Sequence, residues 1–289
     1  MTFGSLFAGI GGFDLGLERA GMQCKWQCEI DKYANQILQI HWPEVKRYED
    51  IKKLTKPESV DLICGGFPCQ DVSMAGNRAG LAGERSGLFF ELARIINEVK
   101  PKWFILENVP GLLSSNQGWD MATVIETLAK IGYCISWRVL DSQFFGVAQR
   151  RKRVFIVGSL GNAKAASIVF EKSRSKKNSE NVEKCYQKCI GTNIKYKENK
   201  IIKIARIYDK STTLLTNIGT FGNPSCFPID RYGIRKFSPI ECERLQGFPD
   251  GWTAGLSDTQ RYKTLGNAVT VQIIEWIGKR IMEEKCFQD

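Results

Sequence analysis

Histidine is almost absent from this chain. His41 is the only one in 289 residues, which rules out most zinc sites and any second Ser-His-Asp triad. The ten cysteines form no paired Cys-x2-Cys pattern; the nearest approaches are Cys24-x3-Cys28 and Cys185-x3-Cys189. Their irregular spacing in a chain this long suits neither a disulfide scaffold nor structural zinc, so no metal is expected. No apolar run approaches the ~18 residues of a membrane span. The opening Met1–Phe7 lacks a basic n-region, so no signal peptide is expected. There is no internal repeat. These absences predict a cytoplasmic, soluble protein with no membrane partner.

What is present is ordinary in bulk and uneven in detail. Hydrophobic residues make up 43% of the chain, enough for a sizeable core in one large domain or two smaller ones. The net charge is +10, which points to an anionic partner. Residues 171–210 hold twelve Lys/Arg against five Asp/Glu, so one segment carries most of the excess. A lysine-rich segment is also commonly just a solvated face.

The first half alternates strand-like and helix-like pieces. Strands are predicted over Thr2–Phe7, Cys24–Ile30, Val60–Cys64, Trp103–Glu107, Tyr133–Leu140 and Val154–Gly158. Helices are predicted from the glycine turn through about Ala20, and over Asp31–His41, Gly87–Val99 and Asp120–Ile131. This alternation predicts an α/β fold with a doubly wound, mostly parallel sheet. From Asn162 to about Lys210 the chain is polar and weakly periodic, and Tyr208–Arg231 reads as loops with short strands. Order returns at Ser238-Pro239, a helix start with Ser as N-cap and Pro in the first turn. A last amphipathic helix is predicted over about Ala268–Glu284, returning to the first domain.

Chemistry-bearing residues fall at the ends of these strands. Gly65-Gly66-Phe67-Pro68-Cys69-Gln70 places a cysteine on a rigid turn just past the Val60–Cys64 run. Active groups in open α/β sheets gather at such carboxyl ends, although an arbitrary cysteine is usually a structural one. Phe7-Ala8-Gly9-Ile10-Gly11-Gly12 joins the first strand to the first helix, where backbone can approach a nucleotide-like ligand closely. Asp14 stands where a Gly-x-Gly-x-x-Gly fingerprint begun at Gly9 needs its third glycine, which argues against a pyrophosphate cofactor. Taken alone, the loop reads equally as a plain turn. Glu29 ends the second strand, where an acid accepts from ribose hydroxyls, and Asp50 is placed to accept from an adenine amino group. Glu107-Asn108-Val109-Pro110 closes another strand, either as a carboxyl group facing the Cys69 cleft or as a capped turn. Arg151 and Arg153 lie two apart, so extended backbone would aim both to one side, toward a base, a phosphate or solvent.

Together these pieces closely resemble the cytosine-C5 DNA methyltransferases. The matching segments, in family order, are Phe7–Gly12, Glu29, Asp50, Gly66–Gln70 with Ser73-x-Ala75-Gly76, Glu107–Val109 and Gln149-Arg150-Arg151-x-Arg153. Arg235-x-Phe237-Ser238-Pro239-x-Glu241-Cys242-x-Arg244-Leu245-Gln246-Gly247-Phe248-Pro249 and Gly266-Asn267-Ala268-Val269 complete the set. They lie within residues 5–158 and 231–278, 202 of the 289 positions. Ser5 departs from the family, many members of which carry Asp there.

The resemblance implies a Rossmann-like, S-adenosylmethionine-dependent catalytic domain over 1–160 and 258–289, and a target-recognition domain over 161–257. It implies methyl transfer to carbon 5 of a flipped-out cytosine in a specific duplex DNA sequence, with S-adenosylhomocysteine as product. Cys69 would attack carbon 6, Glu107 would hold the N3/N4 edge, and Arg153, supported by Arg151, would contact the base carbonyl. The cofactor site would comprise Phe7, Ala8, Gly9, Gly11, Glu29, Ile30, Asp50, Ile51, Pro68, Asn267 and Val269. Ser73, Arg78 and Arg85 belong to the segment that closes over DNA in the family, and Thr213-Leu214 to the recognition region. A monomeric modification enzyme of a restriction-modification system, with a cognate endonuclease encoded elsewhere, is the expectation. An RNA (tRNA) cytosine-C5 methyltransferase and a catalytically silent DNA-binding homologue are the rivals.

Overall fold

The computed structural model describes residues 1–68, 87–170, 189–197, 200–208, 226–230 and 233–286. Expectations for Cys69, Ser73, Arg78, Arg85, Thr213 and Leu214 lie outside the described residues. The chain divides into two compact units: Met1–Leu140 with Lys152–Arg174 and Ile273–Asp289, and Asp141–Arg151 with Ser175–Gln272. Residues 258–272 thus fall in the second unit, whereas the sequence grouped 258–289 with the first.

The first unit is built on a seven-stranded sheet. Its strands are β1 (Thr2–Leu6), β2 (Gln23–Cys28), β3 (Lys46–Tyr48), β4 (Leu62–Gly66), β5 (Trp103–Asn108), β6 (Tyr133–Asp141) and β7 (Lys152–Leu160). Their order is β3-β2-β1-β4-β5-β7-β6. The first five are parallel, and β7 runs antiparallel to β5. Helices α1 (Gly12–Arg19), α2 (Lys32–His41), α3 (Gly87–Val99) and α4 (Trp119–Lys130) are the crossovers, and short α5 (Ala165–Val169) follows β7. The doubly wound, mostly parallel architecture is as the alternation predicted.

The central strands are apolar because both of their faces are covered. Leu62, Ile63 and Cys64 on β4 and Phe104, Ile105 and Leu106 on β5 have no exposed surface. Strand order reverses at β1/β4, the switch point where open α/β sheets place their ligands. Because β1, β4 and β5 are parallel, Leu6, Gly66 and Asn108 all end at one edge.

Local signals set the helix ends. The Asp31 carboxylate caps α2 by accepting from Tyr33 N at 2.8 Å and Ala34 N at 3.2 Å. Helix α8 (Val271–Cys286) starts three residues later than predicted, since Ala268 has extended geometry after α7 (Asp258–Asn267). Within the first unit, a Cβ on Gly278 of α8 would lie 2.8 Å from Ala20 Cβ and 3.1 Å from Leu17 Cδ2. That helix therefore packs on α1 at close range. Arg280 on α8 also donates to the carbonyls of Ser167 and Phe170 around α5.

The second unit contains a four-stranded sheet in the order β11-β10-β8-β9: β8 (Cys189–Lys197), β9 (Lys200–Tyr208), β10 (Cys226–Asp230) and β11 (Gly233–Ile234). Strands β8 and β9 pair antiparallel from Cys189↔Tyr208 to Lys197↔Lys200, where the sequence reading saw only weak periodicity. Helix α6 (Pro239–Gln246) begins where predicted. Its capping box has Ser238 Oγ accepting from Glu241 N and the Glu241 carboxylate accepting from Ser238 N. Among the described residues, no helix is long and apolar enough to cross a membrane.

Candidate active site

Glu107, near the end of β5, pairs in register with Gly66 near the end of β4. A Cβ at Gly66 would stand 3.1 Å from Glu107 Oε2, so glycine there lets the carboxylate lie close against the neighbouring strand. Arg153 on β7 places Nε 2.9 Å from Glu107 Oε1, with both side chains about 15% exposed. Such a pair is mostly shielded from water and still open to a ligand. Next to it, buried Asn108 donates from Nδ2 to the Phe67 carbonyl at 3.0 Å and accepts from Val109 N at 2.8 Å. Asn108 thereby ties the strand carrying Glu107 to the backbone just ahead of Pro68. The sequence offered it only as a turn cap.

Arg151 is bonded differently from Arg153. Strand β7 begins at Lys152, so the alternation expected of an extended backbone does not reach Arg151. Its buried guanidinium donates through Nη2 to the carbonyls of Gly266 (3.1 Å) and Ala268 (2.9 Å) within the second unit. Arg153 thus pairs with a carboxylate and Arg151 with backbone carbonyls. Around Arg151, Gln149 donates to the Leu245 carbonyl at 2.9 Å, Gln246 to the Leu265 carbonyl at 2.8 Å, and Thr270 Oγ1 to Gln246 Oε1 at 3.2 Å. Three motifs that are distant in sequence thus form one buried polar network. It holds residues 266–270, with Asn267 exposed at the end of α7 and Val269 buried.

The glycine loop lies at the β1 end of the same sheet edge. Phe7, Gly9 and Gly11 all have positive φ (52°, 58° and 82°), a path in which glycine is the unstrained choice. Nothing lies within 4 Å of a Cβ built on Gly9, so the loop's outer side is open. Glu29 secures it from β2: Oε2 accepts from Gly9 N at 2.7 Å and Oε1 from Asp31 N at 2.8 Å. Burial holds the Glu29 carboxyl above the usual carboxylate range. Next to it Ile30 is 74% exposed, an apolar side chain left in water at a strand end. Asp50 follows β3 and accepts from Lys52 N at 2.9 Å. Ala8 and Ile51 are buried, Ile51 in the main core, so its side chain packs there instead of facing the loop's open side. Pro68 is half-buried.

An open glycine turn, a strand-end carboxylate, an unpaired apolar face at Ile30 and an acid at Asp50 fit a nucleoside-type methyl donor. Among the described residues, no group of three or more His, Cys, Asp or Glu side chains is placed to hold a metal ion.

Fold and site define the class: a doubly wound α/β protein presenting a glycine loop and an acid–arginine pair along one sheet edge. Comparison with known proteins gives the family. The family profile described as C-5 cytosine-specific DNA methylase matches residues 1–218 and 162–283. The Type II methyltransferase M.HpaII of Haemophilus parainfluenzae is 33% identical over 321 residues, covering 98% of this chain and 89% of that protein. M.HhaI of Haemophilus parahaemolyticus is 28% identical over 312 residues, covering 97% and 94%. A DNMT2 mutant from Spodoptera frugiperda superposes with a TM-score of 0.73 at 18% identity, covering 97% and 99%, a likeness that speaks to the fold. The chain belongs to the C-5 cytosine-specific DNA methylases, and its activity is that of a DNA (cytosine-5-)-methyltransferase.

Proposed function

We propose that the protein methylates carbon 5 of a flipped-out cytosine within a specific duplex DNA sequence, through a covalent bond to Cys69. The observation that carries this reading is the Glu107–Arg153 pair, set at the sheet edge where β4 leads toward Cys69. Carbon 5 of cytosine is a poor nucleophile. Attack of the Cys69 thiolate on carbon 6 forms a C–S bond and turns the ring into an enamine. Glu107 shares its proton with N3, which neutralises the charge that attack builds on the ring. Arg153 takes the base carbonyl. S-adenosylmethionine, when bound, supplies an electrophilic methyl group, and S-adenosylhomocysteine leaves. Loss of the carbon 5 proton then breaks the C–S bond and frees Cys69.

The same reading assigns the donor to Phe7, Ala8, Gly9, Gly11, Glu29, Ile30 and Asp50, with Pro68, Asn267 and Val269. Ile51 is proposed to support that site through its backbone. Glu29, already ordered by two backbone amides, presents its remaining lone pairs to ribose hydroxyls. The target base must leave the duplex, which costs a few kcal/mol. Ser73, Arg78 and Arg85 are proposed to close on DNA, and Thr213 and Leu214 to belong to the recognition region. The basic segment 171–210 would supply phosphate contacts, which give affinity without sequence information. Functionally, 1–160 with 258–289 would be the catalytic part and 161–257 the target-recognition part. The relatives named Type II methyltransferases support a place in a restriction-modification system; a monomer acting beside a separately encoded endonuclease is part of the same proposal.

Incubation with labelled S-adenosylmethionine and either duplex DNA or tRNA tests this reading. Transfer to DNA that is lost in Cys69→Ser is expected. Transfer to tRNA alone overturns the DNA reading, transfer that survives Cys69→Ser overturns the nucleophile, and no transfer at all favours the silent binder.

A further inference from the structure

Beneath the glycine loop lies a carboxyl group that the chemistry above does not use. Asp14, in the first turn of α1, has no exposed surface. Its Oδ2 accepts from the Ser5 hydroxyl on β1 at 3.0 Å, and its Oδ1 from Gln27 Nε2 on β2 at 2.9 Å. The Cys24 thiol lies 3.5 Å from the same Oδ1. This shell of donors suits a carboxylate. A second observation concerns the same pair: Gln27 Oε1 is buried and has no hydrogen-bond partner among the described residues. Turning the Gln27 amide about its last bond would present that oxygen to Asp14, which is what a neutral carboxyl requires for its proton. Each protonation state of Asp14 therefore has a matching orientation of Gln27.

The pair sits at the root of the loop. Ser5 precedes Phe7 by two residues, Gln27 precedes Glu29 by two, and Glu29 holds Gly9 N. We propose that Asp14 is a positioning residue for the methyl donor, and that Gln27 reads its charge. Ionised, Asp14 draws Ser5 and Gln27 onto the first turn of α1 and holds Phe7–Gly11 in its donor-binding form. Protonated, with Gln27 turned, it releases that hold. The inference rests on the reading that the glycine loop holds the donor.

Burial raises the Asp14 carboxyl to about 6. Other titratable groups near it behave differently. The Cys24 thiol on β2 and the Cys64 thiol on β4 are pushed far upward by burial and stay neutral. Glu18 on α1 is raised by burial and is bonded to Trp42 Nε1. Glu29, just past β2, is raised as well, so its own titration adds to any acid limb.

Calorimetric binding of S-adenosylhomocysteine to the DNA-free, full-length protein between pH 8 and 5 tests the inference. Affinity that needs ionised Asp14 falls about tenfold from pH 7 to pH 5, in proportion to the competent fraction. In Asp14→Asn, affinity is expected to be weak throughout and the acid limb reduced to the share that Glu29 contributes. His41→Gln is carried as the control for the chain's single histidine. An Asp14→Asn profile that follows the wild type overturns the inference. Glu29→Ala separates the two readings: unchanged binding there overturns the donor site itself. Lost binding in Glu29→Ala beside a wild-type profile in Asp14→Asn overturns only the role of Asp14. If Asp14→Asn does not fold, Gln27→Leu decides. Without the side chain that reads the Asp14 charge, the acid limb must shrink to the share that Glu29 contributes, and a wild-type profile in Gln27→Leu overturns the inference.

Discussion

Two carboxylates on one sheet edge are held in opposite ways. Glu29 at the end of β2 is bonded to the backbone amides of Gly9 and Asp31. Glu107 at the end of β5 is bonded to a side chain, the Arg153 guanidinium. Amides of a folded loop cannot turn away without distorting it, whereas a guanidinium on a flexible stem can re-aim. The first arrangement suits a template for ribose hydroxyls, which take no part in the reaction. The second suits an acid whose proton must move during reaction, with a cation beside it free to follow the base. Under the proposed function the sheet edge would separate a binding end from a reacting end, and substitutions should separate them too.

The largest expected effect is at the reacting end. Glu107→Ala should lower turnover about a thousandfold, within the range for loss of a positioned acid. Its affinity for S-adenosylhomocysteine should stay within about twofold of wild type. Single-turnover rates and calorimetry on the same preparation check this. A parallel loss of donor affinity would break the proposed division of the edge.

The binding end should show the reverse pattern. Glu29→Ala removes charge-assisted bonds of about 1.5–3 kcal/mol, so donor affinity should fall roughly ten- to a hundredfold. Turnover at saturating donor should change far less, because Glu29 touches no reacting atom. A KM-against-kcat split checks it, and a fall mainly in kcat would merge the two ends.

Much of this contrast is legible in the sequence, for identifiable reasons. Parallel strands buried on both faces read as apolar runs, so β4 and β5 were plain, and α3 over Gly87–Val99 matches its prediction to the residue. Glu29 and Glu107 stand out in the sequence because strand ends are where such sheets place their chemistry. Strands β8 and β9 were missed because lysines interrupt their pattern, although Ile201, Ile202, Ile204 and Ile207 carried a β-branched signal. The late start of α8 and the burial of Arg151 share one cause. Residues 266–270 are held by bonds reaching over a hundred residues along the chain, which local periodicity does not record. Asp14 was visible only as a missing glycine.

Asn108 sharpens the comparison from the structural side. Asn108→Ala leaves the buried Phe67 carbonyl without its donor, a cost of about 1–3 kcal/mol. Reduced thermal stability, with turnover falling further than donor affinity, is the expected outcome. Equal losses at both ends would show that Asn108 serves the sheet edge as a whole.

Asp14→Asn gives the smallest effect and the one with an unusual sign. Burial raises the folded-state carboxyl to about 6 from an ordinary 3.8, so ionising it at neutral pH opposes folding. Its stability contribution is complete below the unfolded-state value and is lost as pH rises through about 6. Asparagine carries no charge to desolvate, and its amide can donate to Gln27 Oε1 while its oxygen accepts from Ser5. At pH 7.5 the variant should therefore melt higher than wild type, by ~2–4 °C for each kcal/mol recovered in a chain of this size. The gap should close toward pH 4, where both side chains are neutral. Thermal unfolding of the ligand-free protein across that range measures it. A variant that is more stable yet binds the donor less tightly is what a buried charge retained for positioning predicts. A variant less stable at every pH would instead make Asp14 a plain element of the core.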